Sequence, residues 1–521
     1  VLPDYAARLE QAKMATRLAI WTKSEASEAE LALPERMQGY FRSSSYVDRA
    51  IAQIAMSDEK PDLEQAYEKV RKTAEQLRLR EQLATARKVA EWNQATYPDA
   101  VLKVEDVIGQ VLAPLAEERP VLFLVLDGMS CAVFSQLLED LTQWEWATIA
   151  RDGQARPALA AVPSVTAISR KALFNGKIDH TDKRNEGLAF RENEVLSGVS
   201  SKGKPRLFLK GELSASGSTS LSEQVRSALE NENPRVVSIL LNVVDDQLSG
   251  SDQLKINWKV DAIRYLRQIL ESASLGGRSI ILASDHGNVL ELNQTRKIGE
   301  AFAGGDRYRD EGKLVDPENE VLVQGPRVEQ ATGKTGIVAA ATDRIRYSNK
   351  KAGYHGGCSD MELVIPLAIL QKGDAGTPSG WDFVDLTPPA WWDWDSSETE
   401  IAEPAPAQRK PAKRKPNQTA KPKTENLELS LQDEVDAQEA AWPDQLLRSA
   451  VFTEQLQSLG RTPLKEPMIR AFLMIMARRQ GAVPMQTLAT EMNLPAMRLR
   501  GMIAQLRRLF NVDGYEIVSE E

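Results

Sequence analysis

Histidine is scarce in this chain, with three among 521 residues: His180, His286 and His355. Two of them stand in surroundings that suit a metal ion. Ser284-Asp285-His286-Gly287 sets a carboxylate beside an imidazole, and Tyr354-His355-Gly356-Gly357 places an imidazole in a glycine-rich loop where backbone can approach closely. Hard carboxylates combined with imidazole select Zn2+, Mn2+ or Fe2+ over Ca2+. His180, in Asp179-His180-Thr181-Asp182, reads as a loop residue outside such a site. Further acids follow apolar runs: Asp127 closes Val121-Leu122-Phe123-Leu124-Val125-Leu126, and Asp245-Asp246 closes the run that starts at Val236. One such Asp can simply cap a following helix. Three of them, one with a His attached, indicate acids that converge.

A hydroxyl-bearing turn, Pro163-Ser164-Val165-Thr166, leads into a short helical stretch that ends at Gly176. Ser164 or Thr166 there is either an N-cap or a nucleophile, since a helix N-terminus stabilises anions through its free N–H groups and dipole. A hydroxyl against a metal ion can lose its proton and attack phosphorus.

The elements that must position these residues can be read from hydrophobic pattern. Val121–Leu126, Val236–Val244 and Ser279–Ser284 are short, nearly continuous apolar runs, as expected of buried parallel strands. Helix-like stretches lie between them, at Ser222–Asn231 and Ile256–Ala273, so the pattern is βαβ and the fold class α/β with a doubly wound sheet. Ligands of such sheets bind at the carboxyl ends of the strands, where the acids stand. Residues 1–117 are rich in strong helix formers and read as a helical domain. The α/β domain is expected over 118–374 and a Pro/Trp/Lys-rich linker over 375–440. In that linker, Trp391-Trp392-Asp393-Trp394 reads as a tether packed on the core. Its basic run, Arg409–Pro416 with Lys421 and Lys423, either touches phosphate or keeps the linker solvated. Over 441–521, three helices and a strand at Gly514–Val518 resemble a winged helix-turn-helix, with Arg498, Arg500, Arg507 and Arg508 on the third helix. Such a module binds DNA or docks on protein.

Composition bounds the rest. The length suggests about three or four domains. Lys+Arg 65 against Asp+Glu 74 gives a net charge of -9, so nucleic acid cannot be held by global charge and any DNA contact is local. Two cysteines, Cys131 and Cys358, build neither a disulfide framework nor a Cys-based zinc site, which fits a reducing cytoplasm. No apolar run reaches the roughly 20 residues that cross a bilayer, so no membrane partner is expected. The start at Val1, without Met, suggests a piece of a longer protein. Thr332-Gly333-Lys334-Thr335 imitates the end of a phosphate-binding loop but lacks its glycine spacing. The stretch 291–346 reads as an insertion over the site, and Arg307 and Arg309 are its candidate substrate contacts.

In motif order, Pro120 to Lys372 resembles the alkaline phosphatase superfamily, and more closely the PglZ proteins of bacterial BREX phage-defence systems. The motifs are Asp127-Gly128, Pro163-Ser164-Val165-Thr166, the acid at Asp245, Ser284-Asp285-His286-Gly287 and the late Tyr354-His355-Gly356-Gly357-Cys358-Ser359-Asp360-Met361-Glu362-Leu363-Val364-Ile365-Pro366. The resemblance implies an alkaline-phosphatase-like core sheet. It implies one metal site of Asp127, Thr166, Asp285 and His286, with Thr166 the nucleophile, and a second to which Asp245 and His355 contribute. Relatives often carry a His four residues after the strand-end Asp, where this chain has Ser249 after Asp245 and Gly250 after Asp246. Asp246 or water would then substitute. Zn2+ is the implied cofactor, with Mn2+ or Mg2+ suited to the second site. Ser169 stands where phosphodiesterase-like relatives place an Asn on a phosphoryl oxygen, and the adjacent Arg170 either contacts phosphate or forms a structural ion pair. The expected activity is metal-dependent hydrolysis of phosphate esters, as a phosphodiesterase, nuclease or phosphatase in anti-phage defence. The alternative is a non-catalytic scaffold that docks other defence proteins and DNA. The implied partners are a methyltransferase and an ATPase of the same system.

Overall fold

The six residues Val121–Leu126 form β1 and are buried at every position, because a strand covered on both faces has no solvent side for polar residues. In the computed structural model, β1 is joined by β2 (Trp146–Arg151), β3 (Arg206–Phe208), β4 (Val236–Leu241), β5 (Ser279–Ala283), β6 (Leu367–Lys372) and β7 (Trp381–Phe383). The structure describes residues 3–23, 31–55, 61–94, 101–199, 203–214, 220–250, 258–292, 294–298, 304–310, 312–372, 376–392 and 466–478, with scattered positions between 446 and 510.

These strands make one seven-stranded sheet in the order β7-β2-β6-β5-β1-β4-β3. The β5, β1 and β4 strands run parallel, as their apolar runs imply, and β3, which no apolar run announces, extends the parallel set. β6 is antiparallel to both β5 and β2, and β7 is antiparallel to β2, so the sheet is mixed. Pairing is flush across the centre, with Leu126 opposite Leu241 and Val125 opposite Ala283. The carboxyl ends of β1, β4 and β5 therefore share one rim. Both neighbours of β1 come later in the chain, which makes this rim a topological switch point.

The amino-terminal stretch is helical, with α1 (Pro3–Trp21), α2 (Leu33–Gly39), α3 (Ser45–Ile54) and α4 (Pro61–Gln94). Leu18, Val47, Ala50 and Ala74 are fully buried in an apolar cluster of their own, while Ala86, Val89 and Ala90 of α4 join the core around the sheet. Val1–Glu400 accordingly form one compact unit and Ile401–Glu521 a second. Arg78 of α4, 1% exposed, donates to Asp48 at 2.9 Å and to Asp360 at 2.9 Å, the latter 282 residues away. A buried guanidinium is tolerable only when its donors meet acceptors in this way. Trp391 and Trp392 pack on the same layer: Trp392 lies under Arg17 and Arg49, and Arg17 Nε donates to its carbonyl at 2.7 Å.

In the second unit the helix Glu466–Arg478 agrees with the expected first helix. Met502, Ile503, Leu506, Leu509 and Phe510 are helical and buried at helical spacing, packing with Phe452, Ile469, Phe472 and Leu488. The basic linker run, Trp394, Arg498, Arg500, Arg507, Arg508 and the expected strand at 514–518 lie outside the described residues.

One buried cation anchors the opposite rim of the sheet. Arg278, 1% exposed just before β5, donates to the carbonyls of Val121, Ala228, Leu229, Asn231, Pro234 and Arg235. Replacement by Met strands several buried carbonyls at once, each an unmet acceptor. Arg278→Met is expected to cost about 3 kcal/mol in urea unfolding, with Arg278→Lys recovering part of the loss.

Candidate metal centre

Asp127 and Gly128 follow β1 directly. The turn requires a positive φ of 74° at Gly128, which an L side chain rarely adopts. In that conformation the Gly128 N–H donates to Asp285 Oδ1 at 3.1 Å. Asp285 and His286 follow β5 one strand away, and the Ser284 hydroxyl beneath them donates to the carbonyl of Leu126 at 2.9 Å. Each carboxylate has one oxygen engaged and one left over. Asp127 Oδ2 accepts from Arg170 Nη1 at 2.6 Å and Asn242 Nδ2 at 2.7 Å. Asp127 Oδ1 and Asp285 Oδ2 are buried and have no hydrogen-bond partner.

The imidazole of His286 completes the set. Its Nδ1 lies 2.9 Å from the carbonyl oxygen of Gly287, which can only accept, so the proton belongs on Nδ1 and the lone pair on Nε2. Nε2 stands 3.6 Å from Asp127 Oδ1 and 3.5 Å from Asp285 Oδ2, the same two oxygens that lack partners. All three atoms lie within 4.8 Å of one another. Ligands at roughly 2.1 Å in a tetrahedron stand about 3.4 Å apart, so the donor set fits a divalent ion such as Zn2+.

The electrostatics agree with that fit. Burial, with the charge of Asp285, pushes the Asp127 carboxyl up to about 8, even with Arg170 and His286 opposing it. Burial likewise raises Asp285 to about 6. Without a cation both groups hold their protons to higher pH than an ordinary carboxyl does.

Thr166 opens the helix Thr166–Asn175, whose N-cap is Val165, a residue with no side-chain acceptor. Neither hydroxyl of the turn serves as the cap. Thr166 Oγ1 sits 2.9 Å from His286 Nε2 and donates to it. Ser164 Oγ instead donates to the Gly357 carbonyl at 3.0 Å and accepts from Gly356 N–H at 3.2 Å, tying the Thr166 turn to the His355 loop.

His355 stacks on His286 with ring centroids 4.3 Å apart and planes at 22°. Its Nε2 is 3.6 Å from Asp245 Oδ1. Burial, then the neighbouring His286, holds the His355 imidazole below its ordinary range. Asp245 is not on the strand: β4 stops at Leu241, and a helix from Val243 to Gly250 carries Asp245 and Asp246 in its first turn. Successive helical residues point about 100° apart, so the two acids diverge. Asp246 turns outward to Lys210 at 2.6 Å and does not join His355.

The remaining expected site residues are spent on structure. Ser169 is fully buried, donates to the Asp285 carbonyl at 2.6 Å and accepts from Ala161 N–H at 3.0 Å, so it braces the Asp285 backbone and reaches no phosphoryl oxygen. Arg170 adopts the ion-pair alternative, bonded to Asp127 and, at 2.9 Å, to Glu186. Arg307 and Arg309 are 0% and 4% exposed and pair with Glu362 and Glu320, so neither offers a free guanidinium to substrate. Two contributors were missed as such: Gly128, quoted only as part of its motif, and Asn242, which lies inside the run read as strand but directly follows β4. The position after an acid was the available signal for Gly128, and nothing local marked Asn242.

Comparison with known proteins gives a family. The family model described as the BREX system PglZ alkaline phosphatase-like domain matches residues 107–370, half of the chain. That described as the BREX system PglZ C-terminal domain matches residues 437–521. Among solved structures, murine ectonucleotide pyrophosphatase/phosphodiesterase 5 in complex with AMP is 14% identical, covering 49% of this chain and 88% of that one at a TM-score of 0.30. The human protein of that name is 11% identical over 51% and 90%, at 0.34. Phosphonoacetate hydrolase from Sinorhizobium meliloti, with phosphonoformate, is 11% identical over 48% and 90%, at 0.31. These likenesses are too slight to carry residue roles across. No curated protein matches the chain. The two domain matches show that the chain belongs to the PglZ family of BREX systems, with an alkaline phosphatase-like domain followed by a PglZ C-terminal domain.

Proposed function

We propose that this chain is a metal-dependent hydrolase of phosphate esters that works through Thr166. The observation that carries the reading is a hydroxyl at a helix N-terminus, 2.9 Å from an imidazole nitrogen that faces two buried carboxylate oxygens without partners. Asp127 Oδ1, Asp285 Oδ2 and His286 Nε2 would hold a divalent cation, which would supply positive charge against phosphoryl oxygens and lower the proton affinity of a neighbouring hydroxyl. Thr166 Oγ1 bonds to phosphorus as its proton passes to solvent, and the ester's leaving oxygen departs with the bonding pair and takes up a proton from water. Water then attacks the phosphothreonine and returns Oγ1–H. The free N–H groups of the helix that Thr166 opens favour the phosphoryl oxygens through both steps. Arg170, Asn242 and Gly128 hold the carboxylates in orientation by engaging their outward oxygens.

Asp245 and His355 form the weaker half, suited to Mn2+ or Mg2+ with water making up the shell. Nucleic-acid diesters are the first substrates to test, given membership of a phage-defence system. Other proteins of that system, a methyltransferase and an ATPase among them, are the proposed partners, with DNA at the C-terminal domain. A cytoplasmic setting suits two buried free cysteines, and among the described residues no helix is long and apolar enough to cross a membrane. One observation favours a second reading, a non-catalytic scaffold: Asp246 faces Lys210, which leaves Asp245 and His355 as the only acid and imidazole paired at the second position among the described residues.

Two measurements test the proposal. Metal content by elemental analysis, with hydrolysis of bis-p-nitrophenyl phosphate and p-nitrophenyl phosphate in Zn2+, Mn2+ or Mg2+, is expected to show cation-dependent turnover. In Thr166→Ala that turnover falls by several orders of magnitude. A bound cation without turnover of either ester selects the scaffold. The second measurement is the melting temperature with and without saturating Zn2+. Because Asp127 and Asp285 are raised above the unfolded carboxyl value, the cation-free fold binds extra protons and loses stability as pH climbs towards 8. Zn2+ displaces those protons, so its stabilisation is expected to be larger at pH 8 than at pH 6.

A further inference from the structure

Arg307, which does not meet substrate, leads to a residue that touches both imidazole loops. Glu362 is 0% exposed and its carboxylate meets four donors. Oε1 accepts from Gly357 N–H at 2.8 Å and Arg307 Nε at 3.1 Å; Oε2 accepts from Ser359 Oγ at 2.6 Å and Arg307 Nη2 at 3.0 Å. Its main-chain carbonyl accepts from Gly287 N–H at 2.9 Å. Gly287 adjoins His286, and Gly357 is two residues from His355.

The contacts are close as well as bonded. A Cβ on Gly287 would stand 2.0 Å from the Met361 carbonyl oxygen, and one on Gly357 would stand 2.5 Å from Glu362 Oε2. Both loops thus rest directly on the turn 359–363, one on its backbone and the other on its carboxylate. The remaining donors of Arg307 go to the carbonyls of Thr342 and Ile345, so the buried charge pair is complete. A glutamine could not replace the carboxylate, because its single oxygen cannot accept from four donors.

We propose that Glu362, with Arg307 as its counter-charge, is a positioning residue that sets the spacing between His286 and His355. The consequence for cation binding rests on the metal-site reading above; the spacing itself does not. Moving the His355 loop leaves the His286 donor set intact and weakens the second cation position, because outer contacts fix ligand geometry.

The test uses the full chain with [13C]His, which gives three imidazole signals, those of His180, His286 and His355. Glu362→Gln is compared with the paired Arg307→Met/Glu362→Met, which removes both charges and so keeps a folded variant available if the single one fails. In cation-free protein, the His286 and His355 signals are expected to move or broaden in each folded variant, with His180 unchanged. In Mn2+ titrations the second equivalent binds at least about tenfold more weakly, while the first is retained. Wild-type positions for both imidazoles in the folded paired variant would overturn the proposal. So would displacement of all three signals together, the mark of general loosening. If wild type takes up no cation, the metal-site reading fails, and the imidazole signals alone decide the role of Glu362.

Discussion

Two carboxylates, Asp127 and Asp285, are held with oxygens towards each other where water does not reach, and much of the structure around the rim answers that repulsion. Flush pairing of β1 with β4 and β5 gives their acids no freedom to separate. The sheet would be relieved if each carboxylate turned its bare oxygen to a donor. Instead Arg170, Asn242 and the Gly128 amide occupy the outward oxygens and leave the inward ones bare. Arrangements that cost stability persist where a site needs them. The carboxyl of Asp127, pushed to about 8, expresses that cost in the absence of a counter-charge.

The parallel strands were legible because burial on both faces removes alternation, and the acids stood out because each ends such a run. Scarcity made His286 and His355 legible as well. Less could be read where the answer depended on direction or on distant pairing. Asp245 and Asp246 are adjacent in sequence, yet a helix that begins at Val243, inside the run read as strand, sends one to His355 and the other to Lys210. Ser169 lies three residues after Thr166, nearly one helical turn, and its hydroxyl is drawn down to the Asp285 backbone. Arg307 and Arg309 looked like free cations because their partners, Glu362 and Glu320, are brought to them by tertiary structure alone. The antiparallel strands β6 and β7 both pair with β2, more than two hundred residues earlier, and local pattern does not record such partners.

Buried charge pairs recur at the joints of this fold. Arg307 with Glu362, Arg309 with Glu320, and Arg78 with Asp48 and Asp360 are each enclosed and multiply bonded. Such pairs contribute little net stability over apolar packing. Their directional bonds nevertheless admit few alternatives, which suits joints that must bring loops from distant parts of the chain into one register.

The reach of Arg78 bears on where the working unit begins. The match to the family's alkaline phosphatase-like domain starts at residue 107, beyond α4, yet Asp360 of the late motif takes its counter-charge from that helix. Ala86, Val89 and Ala90 of the same helix lie in the core around the sheet. A chain trimmed to the matched residues would carry a buried acid without its cation and an apolar surface without its cover. What is inherited as a recognisable module is thus smaller than what must fold together, and the helical layer belongs to the body that carries the rim site as one of its walls.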